Sequence, residues 1–503
     1  MELASYLTLG AQRCGAPPRA AGLLMPLASL PSPEGAGCLG AESFRFVDLL
    51  ADMGFTVWQL LPLNPLGFGN SPYAPFSSLA GDTLYLSLAQ LHADGLLPEY
   101  APCPPAAAPD RIDYGAARAW REPLLRAACD RFLALHGGDR DFLAFCEKPW
   151  VRPYAVFRAL KALHGERAWT DWPQPQRDWC IDSAYDLAPL LPEVQRCMAA
   201  QYLFARQWRA LRDYANRKGL LIMGDLPFYV GLDSLEVWQH REGFLMDRDG
   251  RLHFVAGVPP DGFSDSGQRW GNPIYDWDAM ERTGFRFWLE RLRGSAELYD
   301  ILRIDHFRAF DTYWKIPADC PTAIDGVWTE APGRALFETL RREAPELRIV
   351  VEDLGGDLTE SMARLRDDFG LMGMNVADFT IWSGVRPGLH QLTCTGNHDN
   401  STVRGYYASM SRSAKARFRE LLAPYGKPRE AVSKRMLRYV LGCDSVLAVI
   451  PLADFLDLDD RACLNRPGTV GSPNWEWRLA DYRLLEKKHG AIRALLAEGG
   501  RLA

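Results

Sequence analysis

The chain has 503 residues, 48% hydrophobic and 24% charged, a globular mix with enough apolar residues for a sizeable core. Its net charge of −6 is mild for that length, and no basic stripe or Lys/Arg-rich run occurs, so the electrostatic footprint of a nucleic-acid binder is absent. The 11 cysteines form no CxxC pair and have no His at zinc-ligand spacing, which argues against a metal framework and for reduced thiols used as small hydrophobes.

In chain order, eight short apolar runs recur, each closing in polar residues, Pro or Gly: 22–27, 55–62, 220–227, 300–307, 348–355, 373–379, 391–399 and 445–455. Val57-Trp58-Gln59-Leu60-Leu61 and Ile349-Val350-Val351 are nearly continuous apolar stretches, the pattern of strands buried on both faces in a parallel sheet. Helical patterns lie between many of them, at 42–53, 285–292, 359–368 and 430–441. Eight buried strands alternating with helices predict an α/β fold, a (β/α)8 TIM barrel.

Two intervals are too long for one helix. Residues 83–219, with amphipathic stretches at 116–135 and 192–218, predict a mostly helical insertion after the second strand. Residues 228–299, dense in Gly, Pro, Trp and Asp, predict a loop-rich insertion after the third. After the eighth run only one or two helices are expected, so the reading is a single catalytic barrel over 1–503 with no C-terminal β domain. The first residues lack a basic region followed by an apolar one, and no run reaches about 18 apolar residues, so neither a signal peptide nor a membrane span is expected. The expected location is cytoplasmic.

Barrel enzymes place their sites at the C-terminal ends of the strands. Four runs close with an acid there: Asp225, Asp305, Glu352 and Asp399. A carboxylate at the end of a buried strand is costly to desolvate unless it is paired or functional. Any one of them reads equally as a helix cap or an ion-pair partner. Together they suit glycoside chemistry, which needs one ionised and one protonated carboxyl. Clustered acids also hold metals, but the surroundings are aromatic and Arg-rich, which suits a neutral polyol better than a cation. The 16 tryptophans serve large cores and sugar clefts alike.

At these residues the sequence resembles the amylomaltase, or 4-α-glucanotransferase, family, glycoside hydrolase family 77, a relative of the α-amylases. The likeness is carried by Trp58-Gln-Leu-Leu-Pro-Leu-Asn-Pro65, Gly69-Asn-Ser-Pro-Tyr73, Gly224-Asp-Leu-Pro-Phe-Tyr-Val230 and Gly267-Gln-Arg-Trp-Gly-Asn-Pro273. It continues through Arg303-Ile-Asp-His-Phe-Arg308, Glu352-Asp-Leu-Gly355, Thr395-Gly-Asn-His-Asp-Asn400 and Asn465-Arg-Pro-Gly-Thr469. The order of these motifs along nearly the whole chain is more specific than any one of them.

The resemblance implies Asp305 as nucleophile, Glu352 as general acid/base and Asp399 as a third acid gripping sugar hydroxyls. It implies that Arg303 keeps Asp305 charged, and that Asp225 and His398 contact the sugar beside the scissile bond. Tyr73 and Trp270 match aromatic platforms along a glucan groove to which the 228–299 insertion contributes, and the 258–264 loop matches one that arches over the bound chain. His306, beside the nucleophile, carries no assigned role. Asn397, Ser401, Cys38 and Arg269 depart from the common pattern without removing a catalytic group.

The implied activity is transfer of an α-1,4-glucan segment to the 4-hydroxyl of an acceptor glucan or glucose by retaining double displacement. No organic cofactor or metal is implied, and the partners are maltooligosaccharides, with neither nucleic acid nor membrane. Hydrolysis by the same acids is the alternative activity. A glucan-binding protein with a dead site is the non-enzymatic one, and it would have lost an acid.

Overall fold

The computed structural model describes residues 2–11, 13, 15–260, 264–354 and 359–502. Their strands, in chain order, are β1 (Ala20–Leu24), β2 (Val57–Gln59), β3 (Leu221–Leu226), β4 (Phe254–Val258), β5 (Gln268–Pro273) and β6 (Ile301–Ile304). They continue with β7 (Thr312–Pro317), β8 (Val327–Glu330), β9 (Ile349–Val351), β10 (Gly373–Val376), β11 (Gln391–Cys394) and β12 (Leu447–Pro451).

Eight of these pair in parallel in the order β10-β11-β12-β1-β2-β3-β6-β9. A parallel bridge between Val350 and Met372, with Val351 N–H donating to Met372 O at 2.8 Å, joins the two ends of that row. The sheet is therefore the (β/α)8 barrel that the apolar runs predict. Every residue of β1, β2, β6, β9 and β10 is buried, because helices cover the outside and side chains fill the inside. Truncating such a residue, Ile304→Ala for example, costs about 2–5 kcal/mol by the usual cavity penalty.

Between β2 and β3 the chain is largely helical. The helix Leu191–Arg217 starts with Pro192 in its first turn, where a missing N–H costs nothing. It buries Val194, Ala199, Leu203, Phe204, Trp208, Leu211 and Ala215 at near-helical spacing, and the chain turns out of it at Gly219, whose φ is +82°. It packs against helices Tyr114–His136 and Val151–Leu163 on one side and against β3 and helix Ala41–Met53 on the other, tying the added helices to the barrel.

The stretch read as loop-rich carries β4 and β5. They join β7 and β8 in an antiparallel sheet, order β5-β4-β7-β8, around a small core of Val255, Ile316 and Ala323. β5 reads Gln-Arg-Trp-Gly-Asn-Pro and is mostly half-exposed, so it lacks the apolar alternation that marks a strand. Cross-strand pairing makes it one: Gly257 faces Arg269, and a Cβ at Gly257 would lie 2.2 Å from Gln268 O. After β12 the last long element is the helix Arg483–Glu498. Among the described residues no helix is long and apolar enough to cross a membrane.

Candidate active site

Register brings the acids together. β3 and β6 pair Asp225 with Arg303, and β6 and β9 pair Ile304 with Val351. Side chains alternate along a strand, so Arg303 and Asp305 share one face, and the next step beyond Ile304 and Val351 sets Asp305 beside Glu352. Backbone bonds continue past the strand ends: Asp305 N–H donates to Leu226 O at 3.0 Å and Glu352 N–H to Ile304 O at 2.9 Å.

Arg303 is the hub. Its Nη1 donates to both oxygens of Asp225 at 2.6 Å and to Asp305 Oδ1 at 3.2 Å, while Nη2 lies 3.5 Å from Glu352 Oε1. The Arg303 and Asp225 side chains are 1% and 0% exposed, but Asp305 and Glu352 are 27% and 18% exposed. The first pair is thus buried support and the second pair faces the cleft. Burial opposes the Arg303 charge, yet the surrounding carboxylates outweigh it and hold its pKa well above the ordinary value.

Burial, and then the neighbouring Asp305 carboxylate, hold the Glu352 carboxyl well above the usual glutamate range, against the pull of Arg303. Glu352 Oε2 accepts from His306 N–H at 2.7 Å. That bond needs His306 in the left-handed region, φ +54°, which a residue with a Cβ adopts at a small cost. Burial pushes the His306 imidazole down to about 4, so at neutral pH the ring is uncharged. Its edge packs on Trp270 of β5, 5.0 Å between centroids.

Tyr73 links these groups to the remaining acid. Its hydroxyl donates to Asp225 Oδ2 at 2.8 Å and lies 3.2 Å from His398 Nδ1, and its ring stacks on His398 at 4.7 Å and 15°. His398 Nε2 is 3.4 Å from Asp399 Oδ2. Asp399 Oδ1 accepts from Asn465 Nδ2 at 2.7 Å, and Asp399 N–H donates to Asn397 Oδ1 at 2.8 Å. The eight residues singled out in the sequence (Tyr73, Asp225, Trp270, Arg303, Asp305, Glu352, His398 and Asp399) thus form one cluster linked directly or through His306.

Three contributors escape a sequence reading. The His306 backbone grips Glu352, Asn465 fixes Asp399, and Met374 Sδ lies 3.3 Å from Arg303 Nε. Asn465 and His306 stand in quoted motifs without an assigned role, whereas Met374 left no signal. Asp353, next to Glu352, is structural: Met374 N–H and Arg366 Nη1 bind its carboxylate at 2.7 and 2.6 Å. Arg269 donates to Ala318 O at 2.9 Å and braces β5 rather than the cleft. Of the 258–264 loop, Asp261, Gly262 and Phe263 lie outside the described residues, as does Gly355 of the Glu352 motif. Among the described residues no group of three or more His, Cys, Asp or Glu is placed to hold a metal ion.

The chain is similar to known proteins over nearly its whole length. The profile of the 4-alpha-glucanotransferase family, glycoside hydrolase family 77, matches residues 25–484. A 4-alpha-glucanotransferase of Thermus thermophilus is 42% identical over 96% of this chain and 98% of its own. The chloroplastic/amyloplastic 4-alpha-glucanotransferase of Arabidopsis thaliana is 36% identical over 96% and 86%. The structure of the amylomaltase from Streptococcus agalactiae in complex with acarbose superposes with a TM-score of 0.92 at 34% identity, covering 96% of this chain and all of that one. By sequence, barrel and whole-length likeness, the chain belongs to the 4-α-glucanotransferase family, glycoside hydrolase family 77, and is an enzyme of that activity.

Proposed function

We propose that this enzyme transfers α-1,4-glucan segments by retaining double displacement. Asp305 attacks the anomeric carbon while Glu352 protonates the departing 4-oxygen, leaving a glycosyl ester on Asp305. Glu352, now ionised, takes the proton from the 4-hydroxyl of an acceptor glucan, which attacks the ester and restores the α-linkage. The observation that carries this reading is that Asp305 and Glu352 both lean on one guanidinium, that of Arg303, at 3.2 and 3.5 Å. Retaining pairs stand about 5–5.5 Å apart, whereas inverting pairs leave room for a water at about 6.5–9.5 Å.

The raised Glu352 carboxyl suits an acid that must hold its proton at neutral pH. Asp399, held by Asn465 and Asn397, grips sugar hydroxyls, and Asp225 and His398 line the same sugar's place. Trp270, 40% exposed on β5, offers a ring face to the glucan, which makes the 228–299 insertion one wall of the groove. The acarbose held by the Streptococcus agalactiae amylomaltase supports an α-glucan as occupant. The free thiols of the described cysteines fit a reducing cytoplasm.

The test is Asp305→Asn on maltotriose. Turnover to glucose plus maltopentaose, at constant reducing ends, should vanish while maltoheptaose binding is kept. Persistent turnover would remove Asp305 as nucleophile, and a steady rise of reducing ends in the native enzyme would make water the preferred acceptor.

A further inference from the structure

Far from the carboxylates, between the helices added after β2 and the barrel, lies a half-enclosed cavity of about 520 Å³. That volume falls in the range that holds a small molecule and is too small for a protein segment. Its floor is aromatic, built from Phe145, Trp150, Phe204 and Phe287. Its lining carries six arginines or lysines against four carboxylates, a positive excess inside a chain of net charge −6. Most of these charges are spent within the protein: Lys148 pairs with Glu297, Arg286 with Glu290 and Arg212 with Asp300. Arg209 is different. It is exposed at the cavity, and its side chain forms no hydrogen bond or ion pair among the described residues.

Arg291, on the inner wall, ties this cavity to the catalytic face. It is 2% exposed and donates to Pro227 O at 2.8 Å, Phe228 O at 3.0 Å and the Tyr275 hydroxyl at 3.2 Å. Those carbonyls belong to the segment that follows Asp225, and the next ring, Tyr229, packs 6.1 Å from both Trp270 and His306.

We propose that this cavity is a second ligand site, for a small aromatic anion, and that its occupancy bears on the glucan cleft through Arg291 and residues 227–229. The ring of such a ligand would lie among the aromatic side chains and its anionic group would meet Arg209. Binding stands independently of the reaction proposed above, and only the effect on the cleft rests on it.

The probe is 8-anilinonaphthalene-1-sulfonate, titrated by its fluorescence into the full-length enzyme with excess maltoheptaose present to fill the cleft. One saturable site is expected. Arg209→Glu should weaken it at least about tenfold, and Ala205→Trp, which fills the cavity from the long helix, should remove it. Neither residue touches the catalytic cluster, so maltotriose turnover without the probe should stay within about twofold of wild type in both variants. Saturating probe should change wild-type turnover at least about twofold and leave Ala205→Trp unchanged. No saturable binding, or binding undiminished by Arg209→Glu, overturns the site, even if Ala205→Trp fails to fold. Binding lost in the variants, with turnover indifferent to the probe, overturns the link through Arg291.

Discussion

Glu352→Gln separates proton donation from everything else Glu352 does. The glutamine carbonyl can accept from His306 N–H where Oε2 does, so the shape and that hydrogen bond survive. What disappears is the transferable proton. A positioned general acid contributes about 10²–10⁴-fold, or about 3–5.5 kcal/mol of barrier. kcat/KM for maltotriose should fall by that factor. α-Maltosyl fluoride needs no acid, because fluoride leaves unprotonated, so its first step should stay within about tenfold of wild type. The second step still needs Glu352 as base, so a maltosyl ester should accumulate on Asp305, visible as one added maltosyl unit by intact-protein mass spectrometry. Azide, which needs no base, should release it as the α-azide. Equal losses on maltotriose and on the fluoride, with no ester formed, would refute the assignment.

The pH dependence follows from the same carboxyl. Glu352 is held above its ordinary range, so kcat/KM on maltotriose should fall on the alkaline side as it deprotonates, and that limb should be absent with the fluoride donor. In stability terms the folded chain keeps a proton that the unfolded chain has released. The contribution is therefore present below the unfolded value and lost as pH rises toward the folded one, so Glu352→Gln should gain in Tm over wild type as pH rises above the ordinary glutamate range. Tyr73→Phe keeps the stack on His398 but removes the hydroxyl from Asp225, a bond to a charged acceptor worth about 1.5–3 kcal/mol. A kcat/KM within threefold of wild type would show that bond to be idle. Arg303→Lys keeps the charge but cannot serve three carboxylates from one point, so both Tm and turnover should drop, with chloride titration giving no rescue. Asn465→Ala frees Asp399 and should cost maltotriose turnover about tenfold or more without a matching loss of Tm.

The barrel was legible because its strands are buried on both faces and so read as unbroken apolar runs. Val57–Gln59 sits inside the run 55–62, and the excess at each end is the loop that carries the chain over the rim. The antiparallel sheet was not legible. Gln268–Pro273 has no apolar alternation; it pairs with β4, which pairs in turn with β7, by backbone bonds across the sequence. The acids could be named because each closes an apolar run of the sequence. Their roles came from the family likeness, since residue type and position alone do not separate a nucleophile from an ion-pair partner. The pairing of Asp225 with Arg303 depends on register between two strands, which neither strand encodes alone. The grip of the His306 N–H on Glu352 depends on one backbone angle, and no local pattern announces it.

The single guanidinium shared by Asp225, Asp305 and Glu352 acts as a clock for the reaction. While Asp305 carries its charge, it repels a second charge on Glu352 and keeps the proton there, ready for the leaving oxygen. In the proposed double displacement, once Asp305 became an ester that repulsion would end and Arg303 would face Glu352 with one competitor fewer. Glu352 then becomes a weaker holder of protons at the step in which it serves as base, and the return of charge to Asp305 resets it. In the proposed reaction the alternation of acid and base would follow from the making and breaking of one bond beside the Arg303 cation.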